Sequence, residues 1–398
     1  MNGRAGNART WFVVLGLSLG PAVGNGFARF GYGLVLPAMR SDLAWTYAQA
    51  GWINTANALG YLIGALATLR LMTLIGPARL FQWGMALTAV SLCASGMTND
   101  FLALLFWRLT AGIGGAPVFI TGGVMVAAAF KSDASKNALA VALYFGGAGF
   151  GILLSAVVVP SILGRFGAPA WPLTWWALGL ASFAALLPSW WSSRQADFDA
   201  PSTGTFIATQ PPWGKLIPSL VGYLLFATGY IVYMTFLVAW MKENGATGLA
   251  IVATWAVLGF GVMLSPFLWR PLLASHASGF PLASACVATG VGGVLPLLIP
   301  NLSGQILSAA VFGLSFFIAP AAVTTFSKKN LPQVQWGMAV AMYTTVFAVG
   351  QTLGPVGAGW LADAVGNLSW GLTIAAAILF AGGLSAAFQP ALSNPSTG

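Results

Sequence analysis

Residues 24–37 read Gly24-Asn-Gly-Phe-Ala-Arg-Phe-Gly-Tyr-Gly-Leu-Val-Leu-Pro37 and place a permanent cation inside an apolar run that begins at Trp11. On a helix, Asn25, Arg29 and Tyr32 are spaced i, i+4 and i+7, so their side chains form one polar stripe. An arginine at bilayer depth costs about 2.5 to 3.5 kcal/mol on insertion scales, and such residues face a protein interior or a wet cavity. This stretch therefore predicts a membrane-crossing helix beside a polar interior.

The composition indicates a membrane protein along the whole chain. Charged residues make up 6% of the 398 positions and apolar residues 58%. Runs of roughly 20 apolar residues recur, which is the length that crosses a hydrocarbon core of about 30 Å. The 50 glycines fit this reading, because small residues let membrane helices approach closely. We predict an all-α membrane protein and exclude a soluble domain.

Twelve apolar runs can be counted between charged or Pro/Gly-rich breaks. They lie at residues 11–38, 45–69, 78–97, 101–128, 137–160, 171–190, 213–241, 247–269, 279–299, 302–327, 333–361 and 367–388. A long polar segment separates the sixth run from the seventh. We therefore predict twelve transmembrane helices in two six-helix bundles, at residues 1–191 and 213–398, joined by a cytoplasmic linker at 192–212.

The basic residues predict the orientation. With an even number of spans the two termini share one side, and that side collects eleven basic residues: Arg4, Arg9, Arg70, Arg79, Lys131, Lys136, Arg194, Lys215, Arg270, Lys328 and Lys329. The opposite loops hold three, Arg40, Arg165 and Lys242. The positive-inside rule then places both termini in the cytoplasm of a multi-pass inner-membrane protein. This asymmetry accounts for the net charge of +9 without any nucleic-acid partner.

The two halves of the chain repeat each other. At an offset of 199, Asn137-Ala-Leu-Ala-Val-Ala-Leu-Tyr144 matches Trp336-Gly-Met-Ala-Val-Ala-Met-Tyr343, and the same offset pairs Gly151 with Gly350. Parallel repeats with a substrate site at their interface near the bilayer midplane are the plan of alternating-access transporters. The repeat thus favours a transporter.

Three motifs resemble those of the major facilitator superfamily. Arg108-Leu-Thr-Ala-Gly-Ile-Gly-Gly-Ala116 resembles its fourth-helix pattern of a buried arginine followed by glycines. Gly350-Gln-Thr-Leu-Gly-Pro-Val-Gly-Ala-Gly359 resembles the glycine-proline motif of antiporters, here in span eleven instead of span five. Gly359-Trp-Leu-Ala-Asp-Ala-Val-Gly366 has the form of the family's Asp loop, whereas the usual place after span two lacks the Asp. The resemblance covers essentially the whole chain and implies that the first and fourth helices of each half line a central cavity.

A narrower resemblance rests on spans one and seven. Phe27-Ala-Arg-Phe-Gly-Tyr-Gly-Leu-Val-Leu-Pro37, together with Gly229-Tyr-Ile-Val-Tyr-Met-Thr-Phe-Leu-Val-Ala-Trp240, is similar to the YbfB/YjiJ-like branch of that superfamily. The branch transfers no substrate to this chain.

Two arginines are predicted at nearly one depth. Arg29 lies nine residues before Ala38, about 13 Å from the outer end, and Arg108 lies seven residues after Phe101, about 10 Å from the same side. The family resemblance would put both near one cavity. All seven acidic residues fall in loops or at span ends: Asp42, Asp100, Asp133, Asp197, Asp199, Glu243 and Asp363.

Such a pair of cations points to an anion site. An anion about 4 Å from each guanidinium gains roughly 4 kcal/mol per contact at an effective dielectric of 20, and the planar fork of arginine suits carboxylates and phosphates. The predicted substrate-binding residues are Arg29, Arg108, Tyr32, Asn25, Tyr230 and Tyr233. The alternative is structural, since either arginine could instead bond backbone carbonyls. Asn54, Asn57, Gln351, Tyr144 and Tyr343 are interpreted as interhelical hydrogen-bond formers, and Phe316-Phe317 as packing.

Three functions stay open. The first is a secondary active transporter that moves a small organic anion such as a carboxylate, accompanied by a proton or a counter-anion. The second is an efflux transporter for amphipathic drugs, favoured by the 13% aromatic content. The third is a membrane sensor or scaffold without flux. No nucleotide-binding motif, metal cluster or catalytic triad is present in the sequence, so we expect no enzyme, no cofactor and no metal, and a monomer in the lipid bilayer.

Overall fold

The structure is a computed structural model that describes residues 2–130, 133–196 and 210–392, with side chains from residue 8 onward. All regular secondary structure in these residues is helical, so the predicted all-α class is confirmed. The α-helices are α1 (Asn2–Pro21), α2 (Tyr32–Asp42), α3 (Tyr47–Ile75), α4 (Pro77–Ser95), α5 (Phe101–Ala128), α6 (Ala134–Phe166), α7 (Trp171–Gln195), α8 (Trp213–Glu243), α9 (Gly248–Ser275), α10 (Phe280–Leu298), α11 (Leu302–Phe316), α12 (Ala319–Asn330), α13 (Gln333–Val365) and α14 (Leu368–Ala387).

Each of the twelve predicted spans coincides with a helical segment. In the described part of the chain, ten segments are long and apolar enough to cross a membrane; α4 and α13 supply the other two helices, at the predicted spans three and eleven. Span one is α1 and α2 joined by a π-helix, and span ten is α11 followed by α12.

The predicted linker is partly helical, because α7 continues to Gln195. Residues 197–209, which hold most of the rest of that segment and two of the acidic residues, lie outside the described part of the chain, as does Lys131. The division into bundles at 1–191 and 213–398 therefore stays a prediction.

A wide π-helical turn at Ala22–Phe30 interrupts span one. The backbone N–H of Gly31 donates to the carbonyl of Gly26, five residues back, at 2.8 Å. Here span one lies so close to α6 that a Cβ added to Gly26 would come within 2.5 Å of the Cα of Gly151. The expectation of one regular α-helix is therefore wrong over these residues, and π-turns of this kind are frequent at functional sites.

Helices from the two halves meet mainly at two places, α3 against α13 and α6 against α9, with α2 also touching α8. The turns at 43–46 and 366–367 lie at the end predicted to face outward, called the outer end below. There both carboxylate oxygens of Asp363 accept hydrogen bonds, from the backbone N–H groups of Tyr47 and Ala48, each at 2.8 Å. Because these N–H groups begin α3, a side chain of the second half caps a helix of the first.

Candidate functional site

Arg29 lies in the π-helical turn with only 5% of its surface exposed. Its guanidinium carbon is 5.0 Å from the ring centroid of Tyr61 on α3 and 5.9 Å from that of Phe30. The Nη2 atom has no hydrogen-bond partner, and no carboxylate in the described part of the chain forms an ion pair with it. A buried charge without an ionic partner is costly.

Asn25 lies in the same turn and is also 5% exposed. Its Oδ1 atom has no hydrogen-bond partner. Since buried polar atoms are nearly always paired, the turn carries an unused acceptor as well as an unused donor. Both atoms are available to a polar ligand.

Arg108 on α5 is fully buried. Its Nη2 donates to the backbone carbonyl of Ala28, and its guanidinium carbon lies 4.8 Å from the ring of Trp175 and 5.4 Å from the ring of Tyr32. The Nε and Nη1 atoms have no partner. Arg108 therefore bonds a backbone carbonyl, as expected if its role is structural. Two of its donor atoms, Nε and Nη1, stay without a partner.

The hydroxyl of Tyr32 donates to the carbonyl of Ala50 at 2.8 Å. Its ring stacks on Trp175 with centroids 6.4 Å apart. Because Tyr32 is fully buried against helices of its own half, the structure places it beside Arg108, within the first half of the chain.

Tyr230 lies on α8 in the second half, and its ring stacks on Phe316, which also contacts Phe30, the residue after Arg29. Its hydroxyl accepts a hydrogen bond from Gln351. Tyr233 instead hydrogen-bonds the hydroxyl of Ser308 at 2.7 Å and belongs to the α8–α11 packing. The structure thus brings Arg29 and Tyr230 toward one interface through the contacts of Phe316 with Phe30 and Tyr230. Asn25 lies in the same turn as Arg29, and Arg108, Tyr32 and Tyr233 lie within their own halves.

The interhelical roles predicted for five polar residues are confirmed. Asn54 donates to Thr235 at 2.5 Å and Asn57 to the carbonyl of Arg108 at 3.1 Å. The remaining three are Gln351, bonded to Tyr230, Tyr144, bonded to the carbonyls of Val118 and Phe119, and Tyr343, bonded to Ser219.

Tyr61 was missed from the sequence. It provides the ring nearest to the Arg29 guanidinium, and it continues a polar stripe with Asn54 and Asn57 at i, i+3 and i+7. The same search for polar residues on one helix face that was applied to span one would have identified Tyr61 in span two. This face of α3 therefore carries three polar residues, Asn54, Asn57 and Tyr61.

Phe316 confirms its predicted packing role and joins the two halves. Its ring meets Phe30 edge-on, with centroids 5.6 Å apart, and stacks on Tyr230 at the same separation. The second half of the chain therefore contributes aromatic rings, Phe316 and Tyr230, beside Phe30, the residue that follows Arg29.

A bundle of twelve helices with this pairing across two halves is the fold of major facilitator superfamily transporters. Across 98% of this chain it matches the crystal structure of a bacterial homologue of the human lysosomal transporter Spinster, in an inward-facing and unoccupied conformation, with a TM-score of 0.70, 15% identity and 99% of that chain covered. At this identity the likeness shows the fold alone. Proteins of this superfamily are transporters in the lipid bilayer and carry small molecules.

The family follows from the sequence. The chain belongs to the family described as "Uncharacterised MFS-type transporter YbfB", whose sequence model matches residues 21–387. The expected membership of the YbfB-like branch is confirmed.

Two curated relatives agree with this assignment. The MFS-type transporter YceJ of Bacillus subtilis is 23% identical over 72% of this chain and 72% of its own length. A protein of Haemophilus influenzae whose name proposes metabolite transport is 30% identical over 40% of this chain. This chain spans only 39% of the length of the Haemophilus protein. Family and relatives thus indicate a transporter.

Proposed function

We propose that this transporter moves a small organic anion, a carboxylate in the first instance, by alternating access, with Arg29 as its primary charged contact. The observation that carries the proposal is the unpaired Nη2 of Arg29 at 5% exposure, without a carboxylate partner in the described residues. A guanidinium about 4 Å from an anion gains roughly 4 kcal/mol at an effective dielectric of 20. The anion would supply the charge that the surrounding helices lack.

The neighbouring groups support an oriented carboxylate. The ring of Tyr61 on α3 lies 5.0 Å from the Arg29 guanidinium carbon, and Tyr230 on α8 reaches Phe30 through Phe316, so we expect an anion at Arg29 to contact both α3 and α8. Arg108 would add positive potential, since its Nη2 bonds the carbonyl of Ala28, the residue before Arg29. Tyr32 would hold Arg108 in place, and Tyr233 would hold α8 against α11.

The same proposal includes the setting of the protein. The inner membrane, cytoplasmic termini and a monomeric state are taken from the sequence predictions. All polar contacts between the halves that the structure describes lie between the midplane and the outer end, for example Asp363 with Tyr47 and Asn54 with Thr235. An outer end that is closed in this way fits a conformation that opens toward the cytoplasm.

The absence of an acidic residue within the predicted spans also limits how anion movement can be coupled to protons. Importing a monovalent anion against an inside-negative potential costs about 2.3 kcal/mol per 100 mV. Proton symport ordinarily uses a titratable group at depth, and arginine has too high a pKa to cycle. The proton would therefore travel with the bound anion, or the protein would export or exchange anions.

The experiment is a binding and flux comparison of Arg29 variants. A thermal-shift screen of purified protein against carboxylic acids, sugars, cations and amphipathic drugs identifies a ligand class. We expect Arg29→Ala to lower the affinity for the acid about 100-fold, since hydrogen bonds to charged groups are worth about 1.5 to 3 kcal/mol. Arg29→Lys should not restore it, because a point charge does not reproduce the fork.

The control is Arg165→Ala, which removes an exposed arginine near the outer end and should leave binding unchanged. Flux is measured in proteoliposomes with pH gradient and voltage set independently. Unchanged acid binding by folded Arg29→Ala protein would overturn the proposal. Proton-driven movement of a neutral or cationic compound that ignores Arg29 would favour drug efflux instead.

A further inference from the structure

Three helices of the first half meet at the end of the molecule opposite the outer end, called the inner end below. Here α7 packs against both α1 and α4. Three hydrogen bonds join these helices: the hydroxyl of Ser189 donates to the carbonyl of Gly16 at 2.9 Å, Gln82 donates to the hydroxyl of Ser193 at 2.8 Å, and Arg9 donates to the side chain of Gln195. The inner ends of α1, α4 and α7 are therefore held in a fixed register.

Each of these helices carries an exposed arginine at its inner end, Arg9 on α1, Arg79 on α4 and Arg194 on α7. Arg194 lies one residue inward of Ser193, and Arg79 lies three residues inward of Gln82, the partner of Ser193. At about 1.5 Å per residue these two arginines differ in depth by about 3 Å. Arg9 bonds the residue next to Arg194. The three arginines thus form one group, called the inner arginine cluster below.

The charges of the inner arginine cluster are not neutralised by the helices around it. Among the described residues, no carboxylate forms an ion pair with any of the three arginines. In the same part of the chain, the side chains of Arg79 and Arg194 make no hydrogen bond or ring contact. Clustered cations without counter-charges create a positive potential that attracts anions.

Exposed aromatic side chains lie one turn from the arginines, toward the middle of the membrane. Trp83 follows Arg79 on α4, and Trp190 and Trp191 precede Arg194 on α7. Because these helices cross the membrane, their exposed rings face lipid, and tryptophan is enriched where the hydrocarbon meets the headgroups. The arginines, one turn further inward, therefore lie at the depth of the lipid headgroups.

From this geometry we propose that the inner arginine cluster binds the phosphate of an anionic phospholipid, whose acyl chains lie along the exposed faces of α4 and α7. The planar fork of arginine matches phosphate oxygens with two hydrogen bonds. Basic groups between membrane helices bind anionic headgroups, and each arginine near the membrane surface contributes about a fivefold gain in affinity. This site lies apart from Arg29, so its test does not depend on the proposed anion transport.

The test is a lipid titration of the purified full-length protein in neutral detergent, followed by native mass spectrometry. Phosphatidylglycerol carries the phosphate charge, phosphatidylcholine has the same acyl chains without net charge, and glycerol 3-phosphate has the phosphate without the chains. Three arginines at about fivefold each predict that phosphatidylglycerol binds about 100-fold tighter than phosphatidylcholine. Combining Arg9→Gln, Arg79→Gln and Arg194→Gln should reduce this preference to less than threefold.

The matched control removes three other exposed cations through Arg70→Gln, Lys215→Gln and Arg270→Gln. They lie on α3, α8 and α9, whose main packing partners are other helices, so the control has the same net charge without touching the cluster. We expect it to keep the preference for phosphatidylglycerol. An equal loss in both triple variants would overturn the proposal, because general attraction to a basic surface would then explain the binding.

Two further outcomes decide the question. Glycerol 3-phosphate binding at the strength of phosphatidylglycerol would overturn the assignment to a lipid. If the triple variant does not fold, Arg79→Gln combined with Arg194→Gln replaces it, since neither side chain has a partner in the described residues. We expect this double variant to lose about 25-fold in affinity for phosphatidylglycerol, and unchanged affinity would overturn the proposal.

Discussion

The two main contacts between the halves are built from different chemistry. At the α3–α13 contact, Asp363 caps the first turn of α3 through two hydrogen bonds of 2.8 Å, and Thr55 donates to the carbonyl of Thr352 at 3.0 Å. At the α6–α9 contact the backbones meet at glycines, where a Cβ added to Gly149 would lie 2.3 Å from the carbonyl oxygen of Gly259. No hydrogen bond crosses this second contact among the residues that the structure describes.

The difference is informative because α6 and α13 are repeat-related helices. At the offset of 199, Asp363 corresponds to Gly164, beside which a Cβ would meet open space. Hydrogen bonds are directional and break in discrete steps, whereas glycine surfaces in van der Waals contact let helices shift against each other. We therefore expect the α3–α13 contact to stabilise one conformation and the α6–α9 contact to permit rotation during alternating access.

The largest expected effect is overpacking of the α6–α9 contact. Gly149→Ala places a methyl group against backbone that cannot yield, and overpacking of this kind costs about 1 to 3 kcal/mol. We expect a clearly lower thermal unfolding temperature and loss of substrate flux. Gly164→Ala on the same helix is the control, since nothing lies within 4 Å of its added Cβ. Equal stability of the two variants would refute the close-packing interpretation.

The next effect concerns the helix cap at the α3–α13 contact. Asp363→Asn removes the charge and one of the two acceptor oxygens but keeps the other, so it loses only part of the roughly 1.5 to 3 kcal/mol that hydrogen bonds to charged groups are worth. We expect the outer end to open more often. Spin labels at Met97 and Leu298, exposed near the outer end of each half, should report a longer distance population in protein that lacks Cys93 and Cys286.

The matched control for that measurement is Asp42→Asn. Asp42 also lies near the outer end and accepts a hydrogen bond of 2.8 Å from the indole of Trp171, but both residues belong to the first half. Its distance distribution should stay that of the unaltered protein. A shift as large as that of Asp363→Asn would mean that the change does not depend on a bond between the halves.

The smallest expected effect is the loss of one neutral hydrogen bond at the same contact. Thr55→Val keeps the shape and removes the bond to Thr352, at a cost of about 0.5 to 1.5 kcal/mol. We expect a smaller shift of the same distance population than for Asp363→Asn. Thr68→Val is the control, because the hydroxyl of Thr68 bonds Gly64 of its own helix at 2.6 Å. A larger shift for Thr55→Val than for Asp363→Asn would contradict the ranking.

The buried position of Arg29 could be predicted from the sequence because an arginine in an apolar run is a local signal. Arg29 and Tyr230 were singled out from spans one and seven, and the structure buries both, with Phe316 in contact with Phe30 and with Tyr230; their role in binding stays a prediction. Tyr61 was missed because its importance comes from the ring it presents to a residue on another helix.

The sequence by itself determined the number of helical spans, their approximate ends and the family, because apolar length and motif spacing are properties of single segments. Only the tertiary structure decided which way each polar side chain faces. The turn at Ala22–Phe30 is a π-helix, which changes the rotation per residue, so Arg29 packs on Tyr61 while Tyr32 packs on Trp175. Likewise Asp363 has a local motif, but its partners at Tyr47 and Ala48 lie more than 300 residues away, and only the packing of α13 against α3 brings them into contact.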